Sequence, residues 1–265
     1  MKNRIQNICF AVFISFAINS CSPIVYSNVG HNAPMFEKKG EVSINPSYAS
    51  SNAALNLYQS DDASRGFGFQ GGYALSDKVA IISSFYSMGG EGDPEIQDWK
   101  GNGTYVEFGG GIYGRSQNKK IGYEVLGGIG FSGIKNKNFN GLEYLNVSIT
   151  KPFIQPSIGF ISKYFECSFI PRIAYVSIED RGMRINDSNR LSDLRRQFEK
   201  NNKQVVFEPG LQFRFGFENV KMQLQWSFSN FNFSSDEVNF HHDSYGSIGL
   251  NFRIKGQNEN ELSNY

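Results

Sequence analysis

The chain has 265 residues and a formal net charge of +1, which allows one domain of ordinary size and excludes a general electrostatic attraction to nucleic acid or anionic surfaces. Aromatic residues make up 15% of the chain, and there are 28 glycines. Because no internal apolar run approaches the length of a membrane helix, this composition indicates a β protein with unusual demands on its surface.

The first twenty residues are typical of an export signal. Lys2 and Arg4 precede an apolar run at 8–18 that is too short to span a membrane stably. The sequence Ile-Asn-Ser-Cys at 18–21 resembles a bacterial lipobox. The resemblance implies that 1–20 is a lipoprotein signal peptide, that diacylglycerol is attached to Cys21, and that an acyl chain such as palmitate is added to the new amino group. The alternative is a plain secretory signal with an incidental cysteine.

The next segment, 21–39, contains prolines, asparagines and glycine without a clear hydrophobic period. This predicts a lipidated tether in the periplasm. Cys9 lies in the export signal, so Cys21 and Cys167 could form at most a single disulfide. No spacing of Cys and His predicts a metal site.

From residue 40 onward, segments with a two-residue hydrophobic period recur. The ten predicted strands are 40–48, 65–75, 78–88, 103–114, 120–131, 152–162, 163–178, 203–217, 219–230 and 244–254. Most of them suit a tilted strand that crosses a bilayer, which needs about 9–11 residues.

The predicted connections alternate between short and long. Short ones lie at 76–77, 116–119, 162–163 and 218–219, and long polar ones at 49–64, 89–102, 132–151, 179–202 and 231–243. This alternation is typical of an up-and-down membrane barrel with its short turns in the periplasm. Ten is an even number, so both ends of a barrel at 40–254 lie on one side. A lipidated N-terminus held in the periplasmic leaflet would make that side periplasmic, with 255–265 as a C-terminal tail.

Each predicted strand has an apolar stripe and a polar stripe. In 203–217, Phe207 and Leu211 belong to the first, and Gln212 belongs to the second. Alternation alone also fits a water-soluble, lipocalin-like barrel with the stripes reversed. Acids, arginines and glycines dominate the centres of the polar stripes, which favours a narrow polar lumen with Phe and Ile facing lipid.

The charges predicted to lie in the lumen are Glu107, Glu124, Glu166, Arg172, Glu208, Arg214 and Arg253. They could line a gated pathway for a small polar solute, or tie a closed lumen together by ion pairs. The closed lumen is favoured because side chains nearly fill the interior of small barrels.

The last predicted strand carries Ser247, Gly249, Phe252 and Ile254. Their spacing resembles the C-terminal insertion signal of outer-membrane barrels, which implies handling by the barrel-assembly machinery. On its architecture, the barrel from about Gly40 to Ile254 is similar to the small OmpA/OmpX-like outer-membrane β-barrel superfamily. There are two departures: 255–265 follows the signal, and a lipid anchor is atypical of the best-known members.

A run of two histidines and an acid, His241, His242 and Asp243, ends a predicted outer loop. Such residues could activate water, as in ten-stranded outer-membrane proteases. Catalysis is disfavoured because no second acidic pair lies at a suitable position and loop histidines are usually solvated. Adjacent residues on a strand point to opposite faces, which also argues against joint metal ligation.

Loop 179–202 has Leu191, Leu194 and Phe198 at helical spacing. This predicts a short helix with Asp187 or Ser188 as N-cap. The helix could be a lid packed on the barrel rim, or a docking surface for a protein partner or anionic lipopolysaccharide.

A strand-like alternation also begins near Tyr144 and changes phase after Lys151, where Pro152 and Pro156 follow. This predicts either a bulge or a β-extension that stands outside the membrane.

Together these patterns predict an all-β, antiparallel, up-and-down transmembrane β-barrel of about ten strands with one short helix in an outer loop. We expect it in the outer membrane, lipid-anchored at Cys21, with no cofactor, no nucleic-acid partner and no enzymatic activity. The expected role is structural or accessory, including as a subunit of a larger envelope complex. The alternatives are a narrow solute channel, an outer-membrane hydrolase and a lipid-tethered lipocalin-like binder.

Overall fold

The computed structural model describes residues 24–51, 64–91, 99–138, 140–186, 188–233 and 241–255. The predicted signal peptide, Cys21 and nearly all of the predicted C-terminal tail lie outside these described residues.

Ten strands close into an antiparallel barrel within the described residues. They are β2 (Val42–Ser51), β3 (Arg65–Ala74), β4 (Val79–Glu91), β5 (Trp99–Arg115), β6 (Ile121–Asn138), β7 (Tyr144–Ile161), β8 (Phe165–Arg184), β9 (Lys203–Gly216), β10 (Val220–Phe228) and β12 (Ser244–Ile254). Two further pieces, β1 (Tyr26–Ser27) and β11 (His241–His242), form a parallel pair, and α1 (Ser188–Asn201) is the one helix described. The prediction of a ten-stranded antiparallel barrel with one short helix is confirmed.

Neighbouring strands in the sequence are neighbours in the barrel, and β12 closes it by pairing with both β2 and β10. Residues 75–78, 116–120, 162–164 and 217–219 connect strands at one end, which we call the turn end. The opposite end is the loop end. Both Val42 and Ile254 lie at the turn end, as an even number of strands requires. No described helix has the length and apolarity needed to cross a membrane.

From the turn end to about the middle of the wall, the outside of the barrel is apolar and the inside is polar. In β9, Phe207 and Leu211 are exposed on the outside, while Glu208 and Gln212 are buried inside. The same alternation recurs in the other barrel strands. A water-soluble barrel would show the reverse arrangement, so the predicted assignment of the stripes agrees with the structure.

The predicted long loop at 132–151 is wrong, because β6 continues to Asn138 and β7 begins at Tyr144. Along β7 every second residue is buried from Leu145 to Ile161, so the strand's alternation is never interrupted. What changes near Thr150 is the chemistry of the two faces. Toward the turn end the inside is polar and the outside apolar, and toward the loop end this is reversed.

The two faces of β7 exchange their chemistry because the strands here are long. At 17 to 20 residues, β5 to β8 exceed the roughly 9–11 residues that a membrane crossing needs. Their excess length forms a β-extension at the loop end, and the predicted position of this extension outside the membrane stays a prediction. There Leu145, Val147 and Ile149 join an apolar core inside the wall. A register shift between Asn146 and Val147 adds a local irregularity in the pairing with β8.

Residues 24–36 lie inside the barrel, and all but the half-buried Ser27 are buried. We call this segment the plug. The sequence pattern predicted a periplasmic tether at 21–39, and the structure corrects this for 24–36, which lie in the lumen. The plug has no hydrophobic period because it packs on no single sheet face. At the turn end the chain reverses at Gly40, whose φ is 79° and whose N–H donates to Ala74 O at 2.8 Å, and then enters β2.

Candidate functional site: the plugged lumen

The plug forms only two residues of regular β pairing, so most of its backbone needs other partners. A buried peptide group without a partner costs about 1–3 kcal/mol. Inward side chains of the barrel wall supply the donors. The contacts are Tyr86 Oη to Gly30 O (3.0 Å), Gln155 Nε2 to Asn32 O (2.9 Å), Gln212 Nε2 to Ala33 O (3.1 Å), Arg253 to Pro34 O (2.8 Å) and Arg115 to Met35 O (2.6 Å). The Gln and Arg residues of the inner stripe therefore match the carbonyl groups of an inserted peptide.

The plug also donates to the wall. Asn32 Nδ2 reaches the carbonyls of Gly71 at 2.7 Å and Ser83 at 3.0 Å. Gly30 packs closely against the wall: a Cβ there would be 2.8 Å from Tyr86 Oη and 2.9 Å from Tyr245 Cε1. A side chain at this point would therefore require the neighbouring wall side chains to move.

A cross-lumen strut joins Arg172 to Glu107. Arg172 NH1 lies 2.7 Å from Glu107 Oε2, and NH2 lies 3.2 Å from Oε1. Gln155 Oε1 accepts from Arg172 Nε at 3.0 Å, and Tyr105 Oη donates to Glu107 Oε2 at 2.8 Å. Both charged side chains are fully buried. Since β6 and β7 separate β5 from β8 in the sheet, this bidentate pair ties two non-adjacent strands together.

A second cluster centres on Glu208. Lys151 Nζ lies 3.1 Å from both of its carboxylate oxygens, and the Tyr26 hydroxyl of the plug donates to Oε1. His31 Nε2, also in the plug, is 3.8 Å from Oε2. Lys151 was not among the predicted lumen charges, because it lies at the end of the predicted loop 132–151. The unbroken alternation of β7 was the signal that could have put it on the inner face.

The third cluster lies near the turn end around Glu166. Its carboxylate contacts Arg214 at 3.2 Å, Lys221 at 2.6 Å and Arg253 at 3.0 Å. Glu124 instead accepts the Met35 N–H of the plug at 2.6 Å.

All seven predicted lumen charges therefore point inward. The structure brings Glu107 together with Arg172, and Glu166 together with Arg214 and Arg253. It pairs the other two acids, Glu124 and Glu208, with groups that the sequence analysis did not name.

The chain leaves the lumen at the turn end through polar contacts. Lys119 Nζ lies 2.8 Å from Glu37 Oε1, and Lys39 N–H donates to Asp77 Oδ1 at 2.9 Å. The hydrogen bond from the Lys119 ammonium lowers the pKa of Glu37. These contacts fix the reversal between the plug and β2.

The histidine pair lies beside the other end of the plug. Tyr26 and Ser27 pair in parallel with His241 and His242. His242 Nδ1 is 2.8 Å from Ser51 Oγ, whereas the His241 ring packs edge-on against an aromatic ring. The two side chains thus have different surroundings. Within the described ranges, no group of three or more His, Cys, Asp or Glu residues could hold a metal ion.

The residues of the predicted insertion signal all lie in β12. Ser247 and Gly249 face inward, and Phe252 and Ile254 are exposed on the apolar outside. A Cβ on Gly249 would lie 2.8 Å from Ser47 Cβ, so the glycine permits close approach to β2. Handling by the barrel-assembly machinery stays a prediction.

The helix α1 covers part of the loop end. Leu194 is fully buried in the apolar core, and the Phe198 ring lies 5.1 Å from that of Phe233. Arg195, Arg196 and Lys200 are exposed. The helix packs as a lid on the rim, and a docking role for its exposed basic residues stays a prediction.

Neither protein-family models nor curated protein sequences give a match to the chain. Among solved structures, it is similar to Ail, the attachment invasion locus protein of Yersinia pestis, at 17% identity and a TM-score of 0.37, over 82% of this chain and 99% of that one. It is similar to OprG from Pseudomonas aeruginosa at 12% identity and a TM-score of 0.38, over 84% and 100%. For the translocator domain of the autotransporter NalP from Neisseria meningitidis, the identity is 9% and the TM-score 0.39, over 84% and 90%. At these identities the similarity concerns the outer-membrane β-barrel fold alone.

Proposed function

We propose that this protein is a non-conducting outer-membrane β-barrel lipoprotein with a structural or accessory role and no enzymatic activity. The observation that carries the proposal is the plug, which runs through the lumen from one end to the other. A barrel of this kind would hold its loop end outside the cell and present that end to partners.

Three kinds of contact hold the plug. They support a lumen that is permanently closed, in preference to one that is gated. At the loop end, Val25 and Tyr26 are part of the apolar core. Midway, the Glu208 cluster and the Arg172 strut surround it. At the turn end, Met35 and Phe36 pack in separate apolar clusters. A cavity of about 50 Å³ remains beside the plug near the loop end, which is space for a few water molecules.

The accessory role is supported by the shape and chemistry of the loop end. The β-extension and the lid helix form a folded platform with its own apolar core. Exposed Arg195, Arg196 and Lys200 give the helix a basic surface suited to an acidic protein partner or anionic lipopolysaccharide.

Bilayer conductance tests the closed lumen. We expect the purified, folded protein to show no stable single-channel steps in planar bilayers. A variant that lacks residues 24–36, if it folds as judged by a heat-dependent shift in gel mobility, is expected to conduct. Stable steps from the unaltered protein would overturn the proposal and favour the narrow solute channel.

The Cys21→Ala variant tests the lipid anchor separately from the barrel. We expect it to lose incorporation of labelled palmitate, because the lipobox resemblance assigns acylation to this residue. It should nevertheless stay in the membrane after alkaline washing, because the apolar outer belt would hold the barrel in lipid. Soluble periplasmic Cys21→Ala protein would instead favour the lipid-tethered, lipocalin-like binder. Unchanged palmitate incorporation would show that Cys21 is not the acylated residue.

A further inference from the structure

The plug runs through the lumen in a defined direction, and this direction determines at which end of the barrel the N-terminus lies. Ile24 N–H donates to Asn136 Oδ1 at 2.9 Å, and Asn136 Nδ2 donates back to Ile24 O at 2.8 Å. Asn136 lies near the end of β6, in the β-extension at the loop end. Pro34, by contrast, is held by Arg214 and Arg253 close to the turn end. The chain therefore enters the lumen at the loop end and leaves it at the turn end.

Chain reach limits where the preceding residues can go. Cys21 precedes Ile24 by three residues, and three extended residues span at most about 11 Å. The apolar band of an outer-membrane barrel is about 25 Å tall. A chain of this length cannot return from Ile24 to the turn end, and the cavity of about 50 Å³ beside the plug has room for only a few water molecules.

We propose that the mature N-terminus, with the lipid on Cys21, lies at the cell-surface end of the barrel and not on the periplasmic side. The cell-surface orientation rests on the proposed outer-membrane location. The threaded direction rests on the contacts of Ile24 and Pro34.

The arrangement also sets an order of events in assembly. A cysteine that carries acyl chains is too bulky to be drawn through a lumen crossed by the Arg172–Glu107 strut. On this proposal, the plug would be in place before β12 pairs with β2 and closes the barrel. The threading makes and breaks no covalent bond. It constrains only the order in which the strands pair.

The experiment uses three variants of the full-length protein, each with the same short epitope at a different position. The first lies after Ser22, the second in the 140–142 hairpin tip at the loop end, and the third in the 117–119 turn at the turn end. Gel mobility with and without heating shows that each variant folds. Antibody binding is then compared on intact and on permeabilised cells.

We expect the epitopes after Ser22 and at 140–142 to bind antibody on intact cells. The epitope at 117–119 should bind only after permeabilisation. If the hairpin epitope is accessible but the one after Ser22 is not, the threading inference is overturned while the membrane orientation stands. If the 117–119 epitope is accessible and the hairpin epitope is not, the proposed orientation itself is wrong.

Discussion

Replacing Arg172 by Met is expected to lower the free energy of unfolding by about 3–5 kcal/mol, because it leaves the buried Glu107 carboxylate without its ionic partner. Both side chains are fully buried and share two contacts, at 2.7 and 3.2 Å. Glu107→Gln is expected to be destabilising as well, since it leaves a buried guanidinium charge uncompensated. The double variant should cost less than the sum of the two single variants, because each single change strands a charge that the double change removes.

The measurement is equilibrium unfolding by denaturant of the protein folded into lipid vesicles, followed by gel mobility and tryptophan fluorescence. Arg196→Met is a matched control, because Arg196 also contacts a carboxylate, that of Asp193, at 2.7 Å. In that pair Arg196 is exposed and Asp193 is partly exposed, so the change should cost no more than about 1 kcal/mol. Equal effects of Arg172→Met and Arg196→Met would show that the strut does not hold the barrel together.

Leu211→Arg is the second change that we expect to lower the free energy of unfolding strongly. It tests which face of the barrel contacts lipid. Leu211 is exposed on the outer face near the middle of the apolar stripe of β9. An arginine at the bilayer midplane of an outer-membrane barrel costs about 2–4 kcal/mol. In a water-soluble barrel the same change at an exposed position would be nearly neutral.

Val205→Arg is the control on the same face of the same strand. Val205 lies only two residues from Lys203, where the outer face becomes polar. Near the interface an arginine costs about 0–1 kcal/mol, so Val205→Arg should be much milder than Leu211→Arg. Both variants are measured in the same vesicles by the same denaturant titration. Two equal and small effects would contradict the lipid-facing assignment.

The sequence by itself determined the barrel. Phe207 and Leu211 alternate with Glu208 and Gln212 because a strand's side chains point to opposite faces in turn, and this is a local property. The even strand number, the short turns and the inward direction of the lumen charges follow from the same two-residue period. The lid helix was also predictable, since Leu191, Leu194 and Phe198 share one helical face.

The tertiary structure alone decided what occupies the lumen. The wall partners of the plug are distant along the chain, from 39 residues between Asn32 and Gly71 to 219 residues between Pro34 and Arg253, and no period in 24–36 reflects them. The ionic partner of Glu208 is Lys151. Placing Lys151 on the inner face required knowing that β7 already begins at Tyr144. The change of phase near Lys151 was visible in the sequence, but its cause was not. A strand that leaves the membrane exchanges lipid for water on its outside, so the apolar residues move to its inside without any break in the strand.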